Sequence, residues 1–218
     1  MIKNFMHLRL DSVPWYLKPL ILVYGYVLGY LQYIQYWLNN KTIQISWVGI
    51  ENLSPDKNYI FVFWHRYFPC YFSAFFKFKK HIWMVHPLLY MAHMWILVRL
   101  LGVQKIIPGS AGNSGIKATK ELIADLTAGY STMICPDGPS GPPYVFKKGV
   151  LYIAAKSKVP IVPLYFRTNP SFQIRSWDKK KFPIPFGKLE VEIGEPIEVS
   201  EMNHDTVMNN ILSAMNGE

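Results

Sequence analysis

The chain reads as an α/β domain, a largely parallel sheet flanked by helices, behind an N-terminal helical segment. Three observations point there. From Thr42 onward, stretches rich in β-branched and aromatic residues alternate with stretches of helical periodicity. Four polar, glycine-rich or proline-rich loops each follow a strand-like stretch, as loops at the open end of such a sheet do. No charged residue lies between Lys18 and Lys41. A length of 218 residues suffices for one domain with a sizeable core. The expected organisation is a helical segment at 1–41, an α/β domain at 42–200 and a C-terminal tail at 201–218.

Taken in order, Pro19 to Leu38 (PLILVYGYVLGYLQYIQYWL) has about the length that crosses a bilayer. Its second half mixes Gln32 and Gln35 with Tyr30, Tyr33, Tyr36 and Trp37, which suits a helix at headgroup depth better than one in hydrocarbon. A monotopic anchor is therefore expected, with a helix packed on the domain as the other reading. Asp11, Pro14 and Pro19 interrupt the start and no small-residue cleavage site follows, so a removed signal peptide is not expected. Strands are predicted at Thr42–Gly49, Tyr59–Trp64, Ile82–Val85, Val103–Ile107, Thr132–Cys135, Ile161–Phe166 and Leu189–Ile193. Helices are predicted near Met91–Leu101, over Ile116–Ala128, where Ile116, Leu122, Ile123 and Leu126 recur at helical spacing, and over Gly149–Ser157.

Charge narrows the partners. Lys and Arg number 23 against 14 Asp and Glu, a net +9, which favours an anionic partner. Seven Trp and fourteen Tyr favour the water–lipid interface, so an anionic membrane surface is expected rather than nucleic acid. A mean hydropathy of +0.10 excludes a multi-spanning membrane protein. Cys70 and Cys135 cannot make a disulfide framework and fit a reducing compartment, hence the cytoplasmic face of the inner or plasma membrane. The spacing of His81, His86 and His93 puts them on no common helix face, and no metal site is expected.

Four loops could carry chemistry. WHRYFPC ends the most apolar strand on His65 and Arg66. PGSAGNSG, residues 108–115, could turn backbone N–H groups and hydroxyls toward an anion through Gly109 and Ser110, or could simply cap the following helix. PDGPSGPP, residues 136–143, places Asp137, Gly138 and Ser140 on a backbone stiffened by four prolines, with Lys147 and Lys148 just beyond. VPIVPLYF, residues 159–166, leads to Arg167. SWDKKKFP sets Trp177 beside Lys179, Lys180 and Lys181, which suits either an anionic bilayer or a solvated loop.

PDGPSGPP followed by KKG, then VPIVPL, then SWDKKKFPIPF, resembles the lysophospholipid acyltransferase superfamily, in its bacterial branch related to lipid A secondary acyltransferases. The resemblance runs from about Ile45 to Val199. It implies a glycerol-phosphate-acyltransferase-like α/β domain that moves a fatty acyl group from acyl-CoA or acyl-acyl carrier protein to a lipid hydroxyl, without a cofactor. It also implies a catalytic histidine just after an apolar strand, where His65 stands. The chain departs from the family at two points. Its H-x-x-x-x-D spacing ends here on Cys70, and Pro108 precedes Gly109 where related branches carry an arginine. The acid that orients His65 must then be distant in sequence, and Asp137, ahead of Glu51, is the expected one.

In chemical terms, His65 would take the proton of the acceptor hydroxyl as it attacks the thioester. Glycines and Ser110 of the second loop would stabilise the oxyanion. Arg66, Lys147, Lys148 and Arg167 would hold phosphates of the donor or acceptor. Two other readings remain open at this point: a catalytically silent lipid-binding module, and a thioesterase-like hydrolase with Cys70 as nucleophile activated by His65.

Overall fold

The computed structural model describes residues 13–109, 115–200 and 204–217. Its described residues fall into two compact units. One takes in the chain up to Gln35 together with Lys77–Leu122. The other takes in Tyr36–Phe76 and the chain from Ile123.

The fold is α/β, with a mostly parallel five-stranded sheet and flanking helices, as expected. That sheet belongs to the second unit. In chain order its strands are β1 (Gln44–Val48), β2 (Ile60–Val62), β5 (Thr132–Ile134), β6 (Ile161–Gln173) and β7 (Lys181–Ile193), arranged β1-β7-β6-β2-β5. β2 pairs in parallel with both β5 and β6, and β1 in parallel with β7, while β6 and β7 form an antiparallel hairpin. β2 is fully buried, which is why it reads as an unbroken apolar run rather than an alternation.

The hairpin departs from expectation. The strands predicted at 161–166 and 189–193 are both thirteen residues long, with only Ile174–Lys180 between them. Pro163, Pro170, Pro183 and Pro185 argue against strand in the sequence, because each lacks a ladder donor. The pairing accommodates them, with a register irregularity between Asn169 and Ser171.

Helix α2 (Phe68–Ala74) follows β2 and rests on an aromatic stack: the Phe63 and Tyr71 rings are 4.6 Å apart and Tyr71 and Phe75 4.7 Å. The last turns of the N-terminal helix α1 (Lys18–Thr42) hold α2 from the side. Asn39 Nδ2 donates to Ser73 Oγ at 3.1 Å and Asn40 Nδ2 to the Ser73 carbonyl at 2.9 Å. The C-terminal segment, expected as a tail, is a helix over His204–Asn216 that buries Val207, Ile211 and Met215 at helical spacing.

The first unit carries β3 (Ile82–Val85) paired in parallel with β4 (Lys105–Pro108), helix α3 (Ala92–Leu100) and the start of α4 (Gly115–Thr127). Here α1 packs closely on α3. A Cβ on Gly29 would stand 2.8 Å from Ile96 Cβ, so this glycine is needed for the approach. Tyr24 Oη donates to the Tyr90 carbonyl at 3.1 Å. Elsewhere α1 leaves Leu20, Val23, Val27 and Leu31 exposed. No described helix is long and apolar enough to cross a membrane.

Candidate active site

His65 and the side chains that meet it lie in the second unit. His65 opens a short turn, His65–Tyr67, directly after β2, with Trp64 as its extended N-cap. Trp64 is itself anchored, its Nε1 donating to Asn216 Oδ1 at 3.0 Å. The imidazole is walled by rings: Phe68 edge-on at 4.7 Å and Trp177 tilted at 5.0 Å. Its side chain keeps 17% of its surface, enough for a reactant to reach.

Two buried aspartates meet His65, and they do different things. Asp137 Oδ1 accepts the His65 backbone N–H at 3.0 Å and Oδ2 accepts the Tyr144 N–H at 3.3 Å. The expected contact of Asp137 with the imidazole is therefore replaced by contacts to main chain. Burial raises its carboxyl above the ordinary value, against the pull of those N–H donors. The ring is met instead by Asp178, whose Oδ2 lies 2.5 Å from His65 Nδ1. Burial alone would raise Asp178, but hydrogen bonds from His65, Lys180 and Ser176 outweigh it and hold the carboxyl well below the usual carboxylate range. Lys180 Nζ reaches the same Oδ2 at 2.6 Å, and Ser176 Oγ donates to Oδ1 at 2.5 Å. Asp178 is thus a fixed, ionised acceptor for an Nδ1–H, the tautomer that leaves Nε2 as a bare lone pair.

The two loops also touch. Gly141, at φ +72°, has no room for a side chain because a Cβ would stand 2.7 Å from Trp177 Cε3. A Cβ on Gly138 would stand 3.0 Å from His65 Cδ2. Gly138 therefore defines the floor beneath the imidazole.

The expected phosphate-binding cations have other partners. Lys147 Nζ donates to the carbonyls of Gly138 at 2.8 Å and Asp137 at 3.2 Å, tying the PDGPSGPP loop together. Lys148 pairs with Asp205 at the surface, 3.0 Å away. Arg167 is held by Glu190 at 2.6 Å and Glu192 at 2.9 Å. Arg66 donates to the Tyr144 hydroxyl and lies over the Tyr67 and Tyr144 rings. Ser140 is exposed on its loop. Gly109 belongs to the first unit, where its N–H donates to the Val85 carbonyl at 3.1 Å, and Ser110 lies outside the described residues. Glu51 sits in the turn Ile50–Asn52, and the carboxylate on the His65 ring is that of Asp178.

Cys70, where the family spacing would put its aspartate, is fully buried on α2. Burial pushes its thiol up to about 12, against the pull of Lys181 and Arg66. A thiolate at neutral pH is correspondingly scarce, which weighs against a cysteine nucleophile.

Asp178, Lys180 and Trp177 as a ring contact are the functional candidates that sequence reasoning missed. The signal was present in SWDKKKF, where a lone acid stands among a tryptophan and three lysines, but bulk and charge alone do not tie that acid to a histidine.

No family profile matches the chain. It is 29% identical over 168 residues, 77% of each chain, to the uncharacterized protein RP090 of Rickettsia prowazekii (strain Madrid E). Among solved structures it is similar to the 1-acyl-sn-glycerophosphate (LPA) acyltransferase PlsC from Thermotoga maritima, with a TM-score of 0.54 and 19% identity over 90% of this chain and 79% of that one. The chain therefore has the fold of a lysophosphatidic acid acyltransferase, with a histidine–aspartate pair beyond the end of its buried strand β2.

Proposed function

We propose that the protein is a membrane-associated acyltransferase that moves a fatty acyl group from acyl-CoA or acyl-acyl carrier protein to a lipid hydroxyl, with His65 as general base and Asp178 as the residue that orients it. The observation that carries the reading is the 2.5 Å contact between His65 Nδ1 and the buried Asp178 carboxylate, at the C-terminal end of a fully buried parallel strand. In α/β sheets that end is where reactants gather. The similarity of fold to an acyltransferase supports the same reading.

A lipid hydroxyl is a poor nucleophile at neutral pH. Nε2 takes its proton while the oxygen attacks the thioester carbonyl, forming the new C–O bond. The imidazolium that results is stabilised by Asp178 through Nδ1–H. Collapse of the tetrahedral intermediate breaks the C–S bond, and the leaving thiolate takes the proton from Nε2. The products are an ester and a free thiol, and His65 returns to its starting state. Asp137 serves the chemistry through the main chain, since it fixes the turn on which the imidazole stands.

The lipid acceptor is a lysophospholipid or a lipid A type acceptor, met at the cytoplasmic face of the membrane. The apolar face left exposed by α1 supports peripheral or monotopic attachment there. The test is acyl transfer from labelled acyl-CoA and acyl-acyl carrier protein to lysophospholipids and lipid A precursors, with wild type beside His65→Ala. Transfer that disappears in the variant is expected. Lipid binding without transfer to any acceptor would mean a silent binding module instead.

A further inference from the structure

We propose that the far end of the β6–β7 hairpin, Phe172 to Phe182, docks on an anionic lipid bilayer and so sets the headgroup plane beside the His65–Asp178 pair. Three features of this stretch carry the proposal. Toward the sheet, β6 pairs with β2 and β7 with β1, but at the far end the described strands Ser171–Gln173 and Lys181–Pro183 pair only with each other. This end of the hairpin is therefore a two-stranded ribbon, and its connection turns back onto His65 through Asp178 and Trp177.

Its apolar side chains are partly open to solvent. Phe172 stacks on Phe182 at 5.0 Å and 8°, yet is 47% exposed, and Ile174 and Trp177 are 40% and 37% exposed. A stacked pair left half-exposed in this way is costly in water and favourable at a lipid interface.

The charge of the connection complements anionic headgroups. Arg175, Lys179, Lys180 and Lys181 face one acid, Asp178, which is buried and already engaged by His65, Lys180 and Ser176. What reaches the surface is positive. Arg175 and Lys179 line an open groove of about 600 Å³ together with Ile174 and Trp177, so cations and apolar groups share one concave surface. Basic side chains reaching phosphates while an indole and aliphatic groups enter the interface is the arrangement of a peripheral lipid contact. Asp178 lies between Trp177 and Lys179, so the residues that meet headgroups flank the one that holds the imidazole. The proposal rests on the acyl-transfer reading for its purpose, but its test does not need turnover.

The test uses the full chain with vesicles of phosphatidylcholine alone and of phosphatidylcholine and phosphatidylglycerol in equal parts. Each basic residue near an anionic surface contributes roughly fivefold in affinity, so Arg175→Gln with Lys179→Gln should weaken binding to the mixed vesicles by roughly 25-fold. Binding to phosphatidylcholine alone should hardly change. Lys57→Gln with Lys158→Gln removes the same net charge from other exposed positions and should have little effect. Equal losses from both pairs would reduce the effect to net charge and overturn the proposal, as would no loss from the first pair. Circular dichroism checks that both variants fold. In wild type minus Trp177→Phe difference spectra, the Trp177 emission should be quenched by lipids brominated near the headgroup, and unquenched emission would also overturn docking. A wild-type protein that binds mixed vesicles but transfers no acyl group would defeat the acyl-transfer reading and leave the docking surface standing.

Discussion

The two loops that clasp His65 are built in opposite ways. PDGPSGPP is stiffened by four prolines and braced by Lys147. SWDKKKF is the connection of a long hairpin, carrying three consecutive lysines. Each delivers a buried aspartate to the same histidine, the first to its backbone and the second to its ring. The difference teaches that rigidity and chemistry have been assigned to separate acids. One carboxylate determines where the histidine stands, and the other which nitrogen carries the proton.

Replacing each acid by its amide is the most direct way to break this comparison. Asp178→Asn should lower the rate of acyl transfer by about 10²–10⁴, the range expected when an oriented general base loses its partner. Asp137→Asn should cost about 1–3 kcal/mol of stability by leaving one buried N–H without its acceptor, with a much smaller loss of rate well below the melting temperature. An equal or greater rate loss from Asp137→Asn would reverse the assignment. Acid sharpens the distinction, because the two shifts have opposite sign. Asp178 lies below its unfolded value, so the stability it contributes is present above about pH 4 and is lost as pH falls toward its folded value. Asp137 lies above its unfolded value, so the destabilisation due to its charge is relieved as pH falls through its folded value. Urea titrations should therefore show the wild-type advantage over Asp178→Asn shrinking on acidification, and that over Asp137→Asn growing.

Gly138→Ala probes the place where the rigid loop touches the ring. The added methyl meets His65 Cδ2 at 3.0 Å and the Cys135 carbonyl at 3.3 Å, so one of them must give by a few tenths of an ångström. The loop is the stiffer partner, and the imidazole should be the one to move. We expect about a tenfold loss in kcat with KM little changed, since a base displaced by a fraction of an ångström acts chiefly on the transition state. Steady-state kinetics showing the loss in KM alone would place Gly138 in acceptor binding instead.

How much of this was legible depends on the kind of signal. β2 and His65 could be read because a buried parallel strand is apolar throughout, so the first polar residue after it marks its end. Strand Ile82–Val85 and helix Gly149–Ser157 emerge at their predicted bounds because each is a short apolar stretch bounded by polar residues. The partner of His65 could not be read locally, since Asp178 is 113 positions away and is brought back only by the β6–β7 hairpin. That hairpin was hidden by its prolines, which count against strand unless the tertiary pairing is known. The C-terminal helix is a different kind of miss, because Val207, Ile211 and Met215 already show its period in the sequence. The present partners of the cations expected to hold phosphate could not be read either, because sequence shows a charge but not the carboxylate or carbonyl that it meets, as Arg167 and Lys147 illustrate.

The smallest effect should come from Lys180, and it tests whether the SWDKKKF loop tunes the base as well as orienting it. Asp178 Oδ2 is shared between His65 Nδ1 at 2.5 Å and Lys180 Nζ at 2.6 Å. The ammonium partly neutralises the carboxylate and stands close to the positive charge that forms on the imidazole in the transition state, so it weakens the stabilisation of that charge. Lys180→Met keeps the aliphatic stem and removes the ammonium. The carboxylate then acts on the imidazole alone. Steady-state kinetics at neutral pH should show a rate near wild type or slightly raised, since the charge forming on the ring is better stabilised as it takes the proton. A fall in rate would mean that Lys180 holds Asp178 in place rather than moderating its charge. The rank order of the four variants would then put Lys180 with the rigid loop, among residues that build the site instead of tuning it.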